Sequence, residues 1–115
     1  MSWSKGDILW GNYVHPIVFL EGDSDIYFIG AMITSKPKYK KTKNVLMKKE
    51  HFIEKYKTHF NNSYLVDVKL YKRLDLGPFK KTGELTPEGI EFVESVIHEK
   101  YAMVWEDYLS MKGYK

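Results

Sequence analysis

The sequence predicts a mainly β domain, a small barrel with one C-terminal helix over about residues 87–110. Three apolar segments lie close together between Gly6 and Thr34, separated only by short runs of turn residues. This pattern is typical of an antiparallel meander. After Thr86, apolar residues recur every three or four positions, which indicates an amphipathic helix. At 115 residues the chain is long enough for one core, so residues 1–115 are predicted to form a single domain.

The predicted strands are short, and turn residues separate them. Pro16 marks the first residue of the second strand, because proline cannot donate a hydrogen bond in the middle of a ladder. The helical spacing of Phe52 and Tyr56 predicts a short helix or turn. In chain order, the predicted strands lie in "GDILWG", in "HPIVFLE", in "IYFIGAMIT", around Tyr64–Val66, and in "GPFKKTGEL".

The C-terminal helix has a clear start signal. Thr86 is predicted to be the N-cap and Pro87 the first helical residue, where the missing N–H of proline costs nothing. The residues that follow are predicted to form one apolar stripe against the sheet: Ile90, Val93, Ile97, Tyr101, Val104 and Tyr108.

The composition excludes several classes of protein. Hydrophobic residues make up 43% of the chain and charged residues 29%, a balance typical of globular proteins. The absence of cysteine excludes disulfide scaffolds, thiolate zinc sites and cysteine nucleophiles. We find no secretory signal and no apolar run near the ~20 residues that span a bilayer. We therefore expect a soluble, cytoplasmic protein.

The first candidate site lies where two predicted strands meet. His15 precedes the second strand, and its ordinary pKa near ~6.5 suits proton transfer at neutral pH. Thr34 and Ser35 follow the third strand, and their hydroxyls could donate to a phosphate oxygen. The alternatives are a surface histidine before a strand and hydroxyls that cap a local turn.

The second candidate site is a lysine run that begins directly after Ser35. It holds Lys36, Lys38, Lys40, Lys41 and Lys43, with Tyr39 among them. Such a loop could track phosphates and stack on a base, although a solvated loop has the same composition. Arg73 is the only arginine, and lysine favours backbone contact over base reading.

The remaining histidines carry no metal-ligand spacing. His51, His59 and His98 are not grouped with carboxylates as zinc motifs require. No phosphate-loop or Gly-x-Ser-x-Gly pattern is present either, so we predict neither a metal nor a cofactor.

The order of these motifs resembles the PemK/MazF family of toxin endoribonucleases over roughly Lys5–Glu99. The motifs are "KGDILWG", "HPIVFL", "FIGAMITS", "SYLVDVKLYKRLDL" and "GELTPEGIEFVESVI". The resemblance implies a small Src-homology-3-like barrel of the plasmid maintenance toxin type, usually a homodimer. It further implies metal-independent cleavage of single-stranded RNA and an antitoxin protein as partner.

The resemblance also implies roles for individual residues. The family's catalytic arginine and threonine correspond to His15 and Thr34, with Ser35 beside them. His15 therefore stands at the position of the family's arginine. Before this position the family has a longer loop, whereas this chain has only Asn12–Val14. Imidazole exchanges protons near neutrality better than guanidinium does, but it cannot clamp a phosphate bidentately. Under this hypothesis flanking phosphates and bases contact Lys36, Lys38, Lys40 and Lys41, together with Tyr39 or Tyr13.

Two other interpretations of the sequence stay open. One is a barrel of the same fold that does not cleave and binds RNA or a protein partner. The other is a structural interaction domain without a nucleic-acid role, whose binding affinity would not depend on the salt concentration.

Overall fold

The computed structural model describes residues 3–11, 15–39, 42–56, 60, 62–74, 78–97 and 100–113. The strands are β1 Asp7–Trp10, β2 Ile17–Gly22, β3 Tyr27–Thr34, β4 Lys38–Tyr39, β5 Thr42–Lys43, β6 Val45–Leu46, β7 Tyr64–Leu65, β8 Leu70–Arg73 and β9 Lys80–Glu84. The helices are α1 Pro87–Ile97 and α2 Trp105–Met111, and single 3₁₀ turns span Lys49–His51 and Glu54–Tyr56. The predicted meander and the short helical turns near Phe52 are therefore present.

The strands form one antiparallel sheet with a separate small hairpin. Along the sheet the order is β6-β7-β3-β2-β1-β9. Strand β7 pairs with the C-terminal residues of β3, and β8 lies beside β7 and pairs with the N-terminal half of β3. The hairpin consists of β4 and β5. The register shifts between Phe19 and Glu21 in β2 and between Ile8 and Leu9 in β1. Such irregularities increase the local twist and bend the strands.

Each face of the sheet carries an apolar core. We call the first the α1-side core, because Ile8, Val18 and Ile33 pack there with Val93 and Ile97 of α1. The second is the α2-side core, whose buried members are Leu9, Ile17, Phe19, Phe28, Met32, Val66, Val68, Leu70, Phe79 and Tyr108. Alternating residues of β2 and β3 supply the two cores, because successive side chains of a strand point to opposite faces.

The prediction of one helix over residues 87–110 is wrong in its extent. The helix begins at Pro87 as predicted but ends at Ile97, and a second helix begins at Trp105. Between them Met103 donates to the Lys69 carbonyl at 2.9 Å and accepts from the Tyr71 N–H at 3.0 Å. The physical reason is that α1 and α2 pack on opposite faces of the sheet. One straight helix could not reach both cores.

No helix among the described residues has the length and apolar character needed to cross a lipid bilayer.

Candidate cleavage site and nucleic-acid interface

His15 and Thr34 lie at the same edge of the sheet. Strands β2 and β3 pair Ile17 with Met32, and the N–H of Ile33 donates to the carbonyl of Pro16 at 3.0 Å. Continuing this register by two residues places His15 across from Thr34. Both positions share the face of the α2-side core, since Ile17 and Met32 belong to it.

The Thr34 hydroxyl is buried and has a local partner. Thr34 is 6% exposed, and its Oγ1 accepts the backbone N–H of Lys36 at 3.2 Å. This is the local turn bond that competes with a functional role. A threonine hydroxyl that accepts one hydrogen bond still carries its own proton. The Thr34 hydroxyl therefore still has a proton that it can donate, and Ser35 beside it is exposed.

The surroundings of His15 favour its neutral form. Partial burial lowers the pKa of the imidazole below its ordinary value of 6.5, and the positive charge of Lys72 lowers this pKa further. Both effects disfavour the imidazolium ion. At neutral pH, His15 is therefore a base that can accept a proton.

Lys72 is the charged neighbour that sequence reasoning missed. It follows Leu70 at an alternating strand position in "KLYKRL", so it shares the face of the α2-side core. The side chain is buried, which lowers the pKa of its ammonium group. The sequence offered one sign of this position: Lys72 follows the core residue Leu70 by two positions, so both side chains point to the same face of the strand.

Two residues of the lysine run, Lys38 and Lys43, lie in the hairpin of β4 and β5. Lys38 pairs with Lys43 and Tyr39 pairs with Thr42. Asn44 closes the base of the hairpin, because its N–H donates to the Pro37 carbonyl and its Nδ2 donates to the Lys36 carbonyl, both at 2.9 Å. Ladder pairing places the lysine pair and the tyrosine–threonine pair on opposite faces.

The hairpin is basic and directly follows the Thr34 edge. Lys36 and Lys38 are exposed there. The ring of Tyr39 is 41% exposed and meets Trp105 of α2 edge-on at 6.1 Å between centroids. Three predicted contact residues, Tyr13, Lys40 and Lys41, lie outside the described residues.

The second described histidine is held in place by packing and by a hydrogen bond. His51 is buried, its ring stacks on Phe92 at 4.3 Å, and its Nδ1 accepts the N–H of Lys48 at 2.9 Å. Within the part of the chain that the structure describes, no group of three or more potential ligands could hold a metal ion. His59 and His98 lie outside that part.

Comparisons of the chain with protein-family models, with curated proteins and with solved structures found no match. The resemblance to the PemK/MazF family stays a prediction.

Proposed function

We propose that this protein is a PemK/MazF-like toxin of a toxin–antitoxin system, a cytoplasmic endoribonuclease that cleaves single-stranded RNA without a metal ion. The observation that carries the proposal is the pairing register that sets His15 across from Thr34. A proton acceptor, a hydroxyl donor and exposed lysines then lie along one edge of the sheet.

His15 supplies the base in this mechanism. Neutral imidazole takes the proton of the RNA 2′-hydroxyl, and the 2′-oxygen attacks the adjacent phosphorus. The bond from phosphorus to the 5′-oxygen breaks, and this oxygen takes a proton from water. Thr34 and Ser35 donate hydrogen bonds to the phosphoryl oxygens as negative charge develops on them.

The hairpin supplies the binding surface. Lys36 and Lys38 attract the phosphates that flank the cleaved bond, as do Lys40 and Lys41. Tyr39 offers an exposed ring on which a base can stack, and Tyr13 has the same role.

The proposal includes the finer features that the resemblance implies. We place the sheet among small Src-homology-3-like barrels, with a homodimer as the active form and an antitoxin protein as the natural inhibitor. The register shift in β2 supports the barrel, because bulges bend strands towards closure.

A second candidate function is RNA binding without cleavage. The bond from the Lys36 N–H to Thr34 Oγ1 favours it, because an ordinary turn uses the hydroxyl in the same way.

The decisive experiment incubates the purified protein with a pool of single-stranded RNA in EDTA. We expect cleavage by the unaltered protein and a loss of about 10²- to 10⁴-fold in His15→Ala, because a general base contributes that much. Thr34→Val keeps the shape but removes the hydroxyl, with an expected loss of about 10²- to 10³-fold. Thr34→Ser should retain most activity.

Lys49→Ala is the control, since Lys49 is exposed in the 3₁₀ turn whose His51 packs on Phe92 of α1. Salt-sensitive RNA binding without cleavage by the unaltered protein would support the second function instead. Neither cleavage nor binding would contradict both.

A further inference from the structure

Four side chains form one row across the end of the sheet that carries the candidate site. Thr34 of β3 pairs with Tyr64 of β7, and Tyr64 pairs in turn with Leu46 of β6. On the other side of Thr34, the register of β2 and β3, continued by two residues, sets His15 across from it. The row therefore runs His15, Thr34, Tyr64, Leu46. Each member is a neighbour of the next, because directly paired residues of antiparallel strands have Cβ atoms about 4.5–5.5 Å apart.

The burial of the adjacent pair agrees with this register. Ile33 and Leu65 pair one position further along the same two strands, and both are buried in the α1-side core. Successive side chains of a strand point to opposite faces. Thr34 and Tyr64 therefore share the other face of the sheet, the face of the α2-side core.

Exposure increases along the row from Thr34 to Leu46. Thr34 is 6% exposed, Tyr64 is half-buried and Leu46 is 52% exposed. An aromatic ring and an aliphatic side chain thus adjoin the Thr34 hydroxyl. This surface suits a nucleic-acid base, because every base has a π-face that stacks on aromatic side chains. Lys36 adds positive charge nearby, since it is exposed and its N–H donates to Thr34 Oγ1.

We propose that Tyr64 binds the base of the nucleotide on the 3′ side of the cleaved bond, with Leu46 extending the surface on which this base lies. The inference rests on the proposed function, in which His15 takes the proton of the 2′-hydroxyl on the 5′ side of that bond. Thr34 donates to the phosphate and lies between His15 and Tyr64. The RNA therefore crosses the strands from β2 towards β6 in the 5′ to 3′ direction.

The test uses an RNA oligonucleotide that contains a mapped cleavage site, with a 2′-O-methyl group in place of the attacking hydroxyl. A second oligonucleotide differs only in lacking the base on the 3′ side of the bond. We expect the loss of this base to weaken binding to the unaltered protein about 5- to 150-fold, the range for one stacked base. This comparison needs no variant.

Two variants then assign the effect to the ring of Tyr64. Tyr64→Leu removes the ring and should bind the two oligonucleotides with nearly equal affinity, because the partner of the base is gone. Tyr64→Phe keeps the ring and should retain the difference. Tyr71→Leu is the matched control, since Tyr71 is a half-buried strand tyrosine that pairs with Ile29 in the N-terminal half of β3.

The outcomes separate this inference from the proposed function. RNA cleavage by the unaltered protein, with a full difference between the oligonucleotides retained in Tyr64→Leu, would overturn the role of Tyr64 alone. If no RNA is cleaved, the proposed function fails, and binding of a fully 2′-O-methylated RNA then decides. Weaker binding by Tyr64→Leu but not by Tyr64→Phe would support a base-stacking surface. Equal binding by the two variants, or no binding by the unaltered protein, would overturn it.

Discussion

The two described histidines, His15 and His51, lie in different surroundings. His15 lies across from Thr34 at one end of the paired strands β2 and β3, whereas the ring of His51 stacks on Phe92 of α1. Burial lowers the pKa of His51, and Lys48 lowers it further, although Glu88 and Glu50 act in the opposite direction. Protonation at Nδ1 would also remove the acceptor for the Lys48 N–H.

We therefore predict that the protein loses stability as the pH falls below about 6.5, the pKa of an unfolded histidine. In the window between the folded and unfolded pKa values of His51, the unfolded chain binds more protons, so the free energy of unfolding rises with pH. The measurement is urea denaturation at several pH values between 5 and 7.5.

His51→Asn is the informative variant, because its side-chain oxygen can accept the Lys48 N–H without titrating. Its stability should vary less with pH than that of the unaltered protein. Some dependence should remain, since the pKa of His15 is lowered in the same direction. An unchanged slope in this variant would show that His51 does not control the acid sensitivity.

The sequence predicted part of the candidate site. Pro16 and the length of the third strand sufficed to place His15 and Thr34 at one edge, because neighbouring antiparallel strands fix that juxtaposition locally. Lys72 could not be placed in this way. Its position depends on the pairing of Lys72 with Phe28, two residues that lie 44 positions apart in the sequence.

At the scale of the element, Thr86 joins the start of α1 to the 3₁₀ turn Lys49–His51. The Thr86 hydroxyl accepts the N–H of Gly89 at 3.0 Å and donates to the carbonyl of Glu50 at 2.7 Å. An added Cβ on Gly89 would overlap the carbonyl oxygen of His51, so the helix can approach this closely only with glycine there. Thr86 is therefore both a helix cap and a tertiary contact.

We predict that Thr86→Ala lowers the free energy of unfolding by about 1–2 kcal/mol, the cost of a lost N-cap. Thr86→Ser should lose much less, since it keeps the hydroxyl. Ser95→Ala, at an exposed position of the same helix, should stay within about 0.5 kcal/mol of the unaltered protein. Equal losses in Thr86→Ala and Ser95→Ala, measured by urea denaturation, would contradict the capping role.

The start of this helix was predictable and its end was not. Capping chemistry at Thr86 and Pro87 is local, so the sequence shows it directly. The spacing of Ile97, Tyr101 and Tyr108 also suits one helix, but Tyr101 is 88% exposed and the other two are buried in different cores. The break is decided by the pairing of Met103 with β8, which periodicity cannot show.

At the scale of the whole molecule, the sheet separates two cores that share its strands. The Cα radius of gyration is 13.3 Å, close to the value of about 13 Å expected for a compact domain of this length. Tyr108 links α2 to the sheet, because its buried ring belongs to the α2-side core and its hydroxyl donates to Asp67 at 3.3 Å.

We predict that Tyr108→Ala destabilises the entire domain by about 3–5 kcal/mol, as for other large aromatic residues in cores. Tyr108→Phe should cost only about 0.5–1.5 kcal/mol, the value of one hydrogen bond. Circular dichroism and tryptophan fluorescence should report one coincident unfolding transition in each variant. Two separate transitions would show that α2 unfolds independently of the sheet.

The pairing of Met103 with β8 also has a consequence for synthesis of the chain on the ribosome. A ribosome adds about 5–20 residues per second, beginning at the N-terminus. All the sheet strands are complete by Glu84, but Met103 and Tyr108 cover the α2-side core only after the chain has grown through Leu109. Until then α2 does not cover the aromatic residues of that face. We expect the nascent chain to engage chaperones during this interval and to release them when α2 docks.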